Sequence, residues 1–218
     1  AIWTAADCTG HGVPGAFMSM LGIGFLNEIV IEGKNFEPNQ ILNLLRSKII
    51  NSLQQKGSSE ERKEGMDISL CCWDKKSNTI KFAGANNPLI LITQNEEKAL
   101  SLGDDKMLTN EGKFLITIGA DKMPVGKYVN DEKSFSQKEF ALDTGDVFFS
   151  FSDGFPDQFG GADGKKYMIK RFKNFLLEQK VDAVSDYKLL LENEFQSWLK
   201  TGNAEQIDDI CVVGVKIS

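Results

Sequence analysis

The stretch Ala1-Ile2-Trp3-Thr4-Ala5-Ala6-Asp7-Cys8-Thr9-Gly10-His11-Gly12 decides how the chain is read. Ile2 to Ala6 is a short apolar run of strand length that ends at a carboxylate, and Gly10 and Gly12 hinge a turn behind it. Val13-Pro14-Gly15-Ala16-Phe17 then opens a long apolar segment, with Pro14 suited to a first helical turn. Asp7 therefore sits at a strand end facing a helix start, where free N–H groups favour anionic oxygens and where metal and phosphate chemistry has room to work. Taken alone, the same stretch also reads as a glycine turn capped by Asp7. Other carboxylates must decide between the two.

Working outward, residues 14 to 33 read as a helix that is apolar on most faces and is expected to be buried. Its core, Phe17 to Ile31, is interrupted by Ser19, Asn27 and Glu28 and falls short of the roughly 20 apolar residues of a membrane span. A second, amphipathic helix runs from Pro38 to about Lys56, with Ile41, Leu45, Ile49 and Leu53 at four-residue spacing. Residues 57 to 65 carry no apolar side chain and read as a solvated loop. The period then changes to two: Asp67 to Trp73, Thr79 to Ala83 and Pro88 to Thr93 form an expected antiparallel meander. Between residues 94 and 132 only a strand at Phe114 to Ile118 and a loop at Met123 to Gly126 are placed. Residues 134 to 142 and 146 to 152 read as a hairpin about Asp143-Thr144-Gly145-Asp146.

The second strand of that hairpin runs into Asp153-Gly154, repeating the pattern of a strand that ends in Asp before glycine. Helices at about 165 to 180 and 183 to 200 follow, then a closing strand at 210 to 217 with Cys211, Val213, Val215 and Ile217 on one face. Asp208-Asp209 precedes that strand. The order is strand, helix pair, antiparallel strands, helix pair, strand, which predicts α+β layers in preference to alternating βαβ units.

The bulk composition narrows the classes. A chain of 218 residues with 41% hydrophobic side chains has enough for a globular core. A net charge of −6 gives no broad attraction for nucleic acid or anionic lipid, so neither is expected as a partner. Cys8, Cys71, Cys72 and Cys211 include no C-x-x-C pair, and neighbours 71 and 72 on a strand would point to opposite faces, which fits a reducing compartment. No basic n-region or signal-type cleavage site is present, and the sequence opens inside an expected core strand, as a cut fragment would.

Hard divalent cations take oxygen ligands, and Asp7, Asp153 and Asp208 offer three carboxylates beside three strands. Brought together, they would repel strongly unless a cation lay between them. Each alone also reads as a cap or turn residue.

Four stretches together carry a family resemblance: Asp7-Cys-Thr-Gly-His-Gly-Val-Pro-Gly-Ala, Phe82-Ala-Gly-Ala-Asn-Asn-Pro-Leu, Phe151-Ser-Asp-Gly-Phe-Pro-Asp-Gln-Phe-Gly-Gly and Asp208-Asp-Ile-Cys-Val-Val. They resemble the bacterial sporulation-type and stress-response serine phosphatases of the metal-dependent, type 2C-like superfamily, over nearly the whole chain. The resemblance implies one domain over residues 1–218 with an αββα sandwich of two antiparallel sheets flanked by helix pairs, and two Mn²⁺ or Mg²⁺ ions. It implies Asp7 as the metal-bridging aspartate, Cys8 as a ligand through its backbone carbonyl, and Asp153 and Asp208 as further ligands, with Asp208 preferred to Asp209. Asp7, Asp153 and Asp208 would thereby be the catalytic residues. Asp157 aligns with a carboxylate of a weaker third metal, and equally reads as a loop cap. His11, the only histidine, reads as structural in preference to a proton donor or acceptor, and Asn86 and Asn87 as loop-forming residues.

The activity implied is hydrolysis of phosphoserine or phosphothreonine on a signalling protein, such as a phosphorylated antagonist of an anti-sigma factor, through metal-activated water. The expected setting is the cytoplasmic part of a larger sensor protein. Family members also carry an upstream strand pair with a Gly-Gly-Asp motif that completes the metal site, and no residue here matches it. The domain is thus expected to be N-terminally truncated, with an uncovered sheet edge that invites dimerisation. An inactive phosphoprotein-binding or dimerising module is the alternative. A nucleotide-binding reading of Thr9 to Gly15 is the third, and it lacks the following Gly-Lys-Ser/Thr that would hold phosphate and Mg²⁺.

Overall fold

The computed structural model of the chain describes residues 1–10, 12–53, 64–103, 107–129, 132–181 and 183–218. The chain begins with β1 (Ile2–Cys8), α1 (Val13–Asn27, continued by a π-helical turn Glu28–Glu32) and α2 (Pro38–Ser52). Next come β2 (Gly65–Asp74), β3 (Thr79–Ala85), β4 (Leu89–Thr93), α3 (Glu96–Leu102), β5 (Leu108–Asn110) and β6 (Lys113–Ile118). After β7 (Val125–Gly126), β8 (Lys138–Ala141) and β9 (Val147–Phe151) lie the single turn α4 (Gly154–Asp157) and the hairpin β10 (Phe159–Gly160) with β11 (Lys165–Lys166). The chain closes with α5 (Ile169–Glu178), α6 (Asp186–Gly202) and β12 (Val212–Lys216).

These elements form two compact units. The first comprises Ala1–Pro88 and Gly119–Ala141, and the second Leu89–Ile118 and Leu142–Ser218. In the first, the antiparallel order is β1-β2-β3-β8, with β7 also on β2. Ile41, Leu42, Leu45 and Ile49 of α2 are fully buried with Met66, Ile68 and Leu70 of β2, because their spacing keeps one helical face on the sheet. In the second, the order is β12-β9-β4-β6-β5. Its core is aromatic: the Phe155 ring lies 5.0 to 5.2 Å from those of Tyr167, Phe172 and Phe195, within the range of favourable tilted and edge contacts.

The α+β class and the two antiparallel sheets agree with the sequence reading; several connections do not. Strand β4 does not extend a meander with β3 but pairs with β6 and β9 in the second unit. Asn86, in the left-handed region at φ 56°, and Pro88, without an N–H, turn the chain out of the first sheet. All five residues of β4 are buried, as an uninterrupted Leu-Ile-Leu-Ile run allows. Similarly β8 pairs with β3, whereas β9 pairs with β4 and β12, so Asp143–Asp146 joins two sheets and is not a hairpin turn. That turn is fixed within the second unit: Lys98 of α3 meets Asp146 at 2.7 Å, and Gly145 N–H donates to the Ile217 carbonyl at 2.8 Å.

The expected helix from 165 begins only at Ile169, since residues 165–166 pair back on β10. Helix α3 was absent from the sequence reading, although Asn95 accepts a bond from Lys98 N–H as its N-cap and Glu96 and Glu97 fill its first turn. The solvated loop expected at 57 to 65 lies largely outside the described residues, and Gly65 already belongs to β2.

Helix α1 is not the buried helix expected. Gly15, Met18 and Gly22 are buried, while Val13, Phe17, Met20 and Ile23 are 83%, 54%, 73% and 63% exposed. Its apolar residues surround the axis, and one face alone meets the core of its unit. With the π-helical turn it spans Val13–Glu32, 20 residues, and so is long and apolar enough to cross a membrane by length and composition.

Candidate metal centre

Asp7 lies in the last pair but one of the β1–β2 ladder, half-buried and opposite Asp67 of β2. Like charges directly opposite in a ladder disfavour each other, and the Asn86 amide offsets part of this by donating to Asp67 Oδ1 at 2.8 Å. Asn86 therefore does more than form the loop: its backbone takes the left-handed turn and its side chain holds an acid. Asp67 was not a sequence candidate, since only the strand register sets it against Asp7.

The turn after Asp7 is tied to β2. Thr9 N–H donates to the Gly65 carbonyl at 3.0 Å, and Gly65 N–H donates to Thr9 Oγ1 at 2.7 Å. A Cβ on Gly15 would come within 2.4 Å of the Gly10 carbonyl oxygen, so glycine there lets α1 start directly against the turn. Burial pushes the Cys8 thiol up, against a hydrogen bond with Ser19, and the neighbouring Asp7 charge adds to the rise. Its side chain is thus a neutral thiol and a poor metal ligand or nucleophile at neutral pH. His11 lies outside the described residues.

In the second unit the Ser152-Asp153-Gly154 motif has a physical explanation. Ser152, buried, donates its hydroxyl to the Asp209 carbonyl at 3.1 Å and accepts Cys211 N–H at 2.9 Å, while its own N–H donates to the Cys211 carbonyl. A Cβ on Gly154 would lie 2.3 Å from the Asp209 carbonyl oxygen, so only glycine admits that approach. Between these neighbours Asp153 is exposed, and its carbonyl accepts Asp157 N–H at 2.8 Å to close α4.

The segment before β12 thus meets the segment after β9, and it brings together two of the candidates: Asp153 and Asp208 each offer a carboxylate oxygen within 4.8 Å of the other. Both are exposed. Two hard oxygen donors this near suit a shared Mg²⁺ or Mn²⁺ once the exposed side chains turn inward, since ligands at about 2.1 Å from one ion stand no more than about 4.2 Å apart, with water completing the shell. Asp208 Oδ1 also accepts Asp209 N–H at 2.8 Å. Asp157 is half-buried and held by Lys166 at 2.7 Å.

The fold is that of PP2C-type phosphatase domains. The chain is similar to the SiaA-PP2C domain of Pseudomonas aeruginosa with a TM-score of 0.78 at 21% identity, covering 100% of this chain and 76% of that one. It is similar to the PP2C phosphatase domain and regulatory-domain fragment of SpoIIE from Bacillus subtilis at 0.66 and 18%, covering 99% of this chain and 55% of that one. The catalytic domain of PstP, solved in complex with 2 manganese ions, gives 0.57 at 13%, covering 100% and 88%. No curated protein matches. Residues 2–218 match the family described as Stage II sporulation protein E (SpoIIE), and the chain belongs to that family.

Proposed function

We propose that the chain is a metal-dependent serine/threonine protein phosphatase domain. The Asp153–Asp208 pair in a SpoIIE-family chain carries the reading, since neither carboxylate has an ion-pair partner among the described residues. Asp153 and Asp208 would then be metal ligands, and by family analogy Asp7 and the Cys8 backbone carbonyl would also be ligands. Asp157 is a candidate for a weaker third ion once Lys166 gives way. Bound Mn²⁺ or Mg²⁺ would bring the pKa of water toward neutrality and offset charge on the phosphoryl oxygens. The protein's part is to hold acidic oxygens fixed before the cation and substrate arrive, which Ser152 and Gly154 do for Asp153. By family analogy the substrate is a phosphoserine or phosphothreonine on a partner-switching protein, such as an antagonist of an anti-sigma factor, in the cytoplasm.

Phosphate release from a phosphoserine peptide and a generic phosphoester, with and without Mn²⁺, tests this. We expect Mn²⁺-dependent release and its loss by more than about 100-fold in Asp153→Asn, because even groups outside the metal's ligand shell cost 10–100-fold. Full Mn²⁺-dependent turnover by that variant would refute the ligand assignment. A chain that binds a phosphoserine protein tightly and releases no phosphate under any metal would be the binding module.

A further inference from the structure

The segment that carries Asp208 has neither helix nor strand of its own. Helix α6 ends at Gly202 with Asn203 in the left-handed region, and β12 does not begin until Val212. Glu205, Gln206 and Ile207 are exposed, so no packing holds them. A carboxylate placed to share a cation needs its backbone fixed; besides the local bond from Gln206 Nε2 to the Asp208 carbonyl at 2.7 Å, the segment before Asp208 is tied to the rest of the unit by one buried side chain.

That side chain is Gln158, fully buried and five residues beyond Asp153. Its Nε2 donates to the Glu205 carbonyl at 2.8 Å and to the Phe159 carbonyl at 2.8 Å, and its Oε1 accepts Ile207 N–H at 3.2 Å. Both amide hydrogens and the oxygen are used, and the reverse amide orientation would set N–H against N–H and oxygen against two carbonyls. The Gln158 backbone is anchored in turn: its carbonyl accepts Tyr167 N–H at 2.9 Å and Trp198 Nε1–H at 3.1 Å. Ile207 immediately precedes Asp208. On the other side, the Asp209 carbonyl accepts the Ser152 hydroxyl. Asp208 is thus held from both sides by residues that flank Asp153, and the Asp153 segment sets where Asp208 sits.

We infer that Gln158 is a positioning residue that fixes Asp208 against Asp153 for metal binding. This rests on the metal-dependent reading above. Because Glu205 to Ile207 face solvent, loss of the amide leaves their polar groups to water and loosens the segment without exposing the core.

The experiment measures Mn²⁺ binding by electron paramagnetic resonance titration and amide hydrogen exchange in the chain, in Gln158→Leu and in Gln158→Met. The second variant matches the length and flexibility of glutamine and keeps the test open if branching at Leu disturbs folding. We expect the Mn²⁺ dissociation constant to rise about tenfold in both, in line with groups that orient metal ligands. The Ile207 amide should exchange faster while α6 amides keep their protection, and saturating Mn²⁺ should restore most of the turnover. Folded variants that bind Mn²⁺ as tightly as the parent would overturn the inference, even if their melting temperature fell. A parent that binds Mn²⁺ but releases no phosphate would overturn the phosphatase reading while the binding constants still decide the role of Gln158. A parent that binds no Mn²⁺ would overturn both.

Discussion

Asp7 and Asp208 are offered for the same kind of work, yet the chain holds them by different means. Asp7 belongs to β1, whose ladder with β2 runs unbroken from Ile2↔Cys72 to Cys8↔Met66, so main-chain bonds before and after it along this one ladder place it. Asp208 has no ladder and depends on side chains, Gln206 on its own carbonyl, Gln158 before it and Ser152 after it. An acid held by a ladder survives most substitutions around it. One held by side chains has a few vulnerable neighbours, each of which a single codon change removes.

Three substitutions, from largest to smallest, would sharpen or erase that contrast. Ser152→Ala removes a buried hydroxyl and strands the Cys211 N–H, which should cost about 1–3 kcal/mol in urea unfolding. Asp121→Asn probes a side-chain clamp in the first unit. Burial alone would raise this carboxyl, but the Ser136 N–H at 2.7 Å, the Ser136 hydroxyl at 2.8 Å and Lys133 hold it below the usual range. A depressed folded pKa adds stability above the unfolded value of about 3.9, and this is lost as pH falls through the folded value. Asp121→Asn should therefore be less stable than the parent at neutral pH and converge with it in acid, as thermal melts across that range would record. Thr9→Val should cost least, about 1 kcal/mol: buried Gly65 loses the acceptor of its N–H, but Thr9 itself is exposed and its own N–H bond to the Gly65 carbonyl stays. Equal losses at Thr9 and Ser152 would abolish the distinction drawn here.

The same contrast separates what the sequence disclosed from what it withheld. Strands β1, β2, β3 and β9 and the helix α2 were readable because alternation and four-residue spacing are local. The partners of β4, β8 and β9 were not, since a strand's own residues record which face is apolar and not which strand lies beside it. The spacing of Tyr167 and Phe172 extends a helix back over Lys165 and Lys166, although Met168 sits at φ 74°, where no helix passes. Asp7, Asp153 and Asp208 stood out as acids beside strands. Asp67 and Gln158 did not: one needs the register of β1 on β2, and the other makes amide-to-carbonyl bonds that leave no periodic trace. Helix α3 is legible in Asn95-Glu96-Glu97, a cap followed by two acids, although its seven residues are too few to show a period.

The path of the chain carries a consequence for inheritance. It leaves the first unit after Pro88, returns at Gly119 and leaves again after Ala141. No single break in the gene delivers either unit as a free-standing module. A product ending at residue 141 would contain every residue of the first unit and also β4 and β6, stripped of β9 and with their apolar side chains seeking other partners. The two units must therefore be copied, shuffled and lost together, and recombination that respects this architecture can act only at its ends.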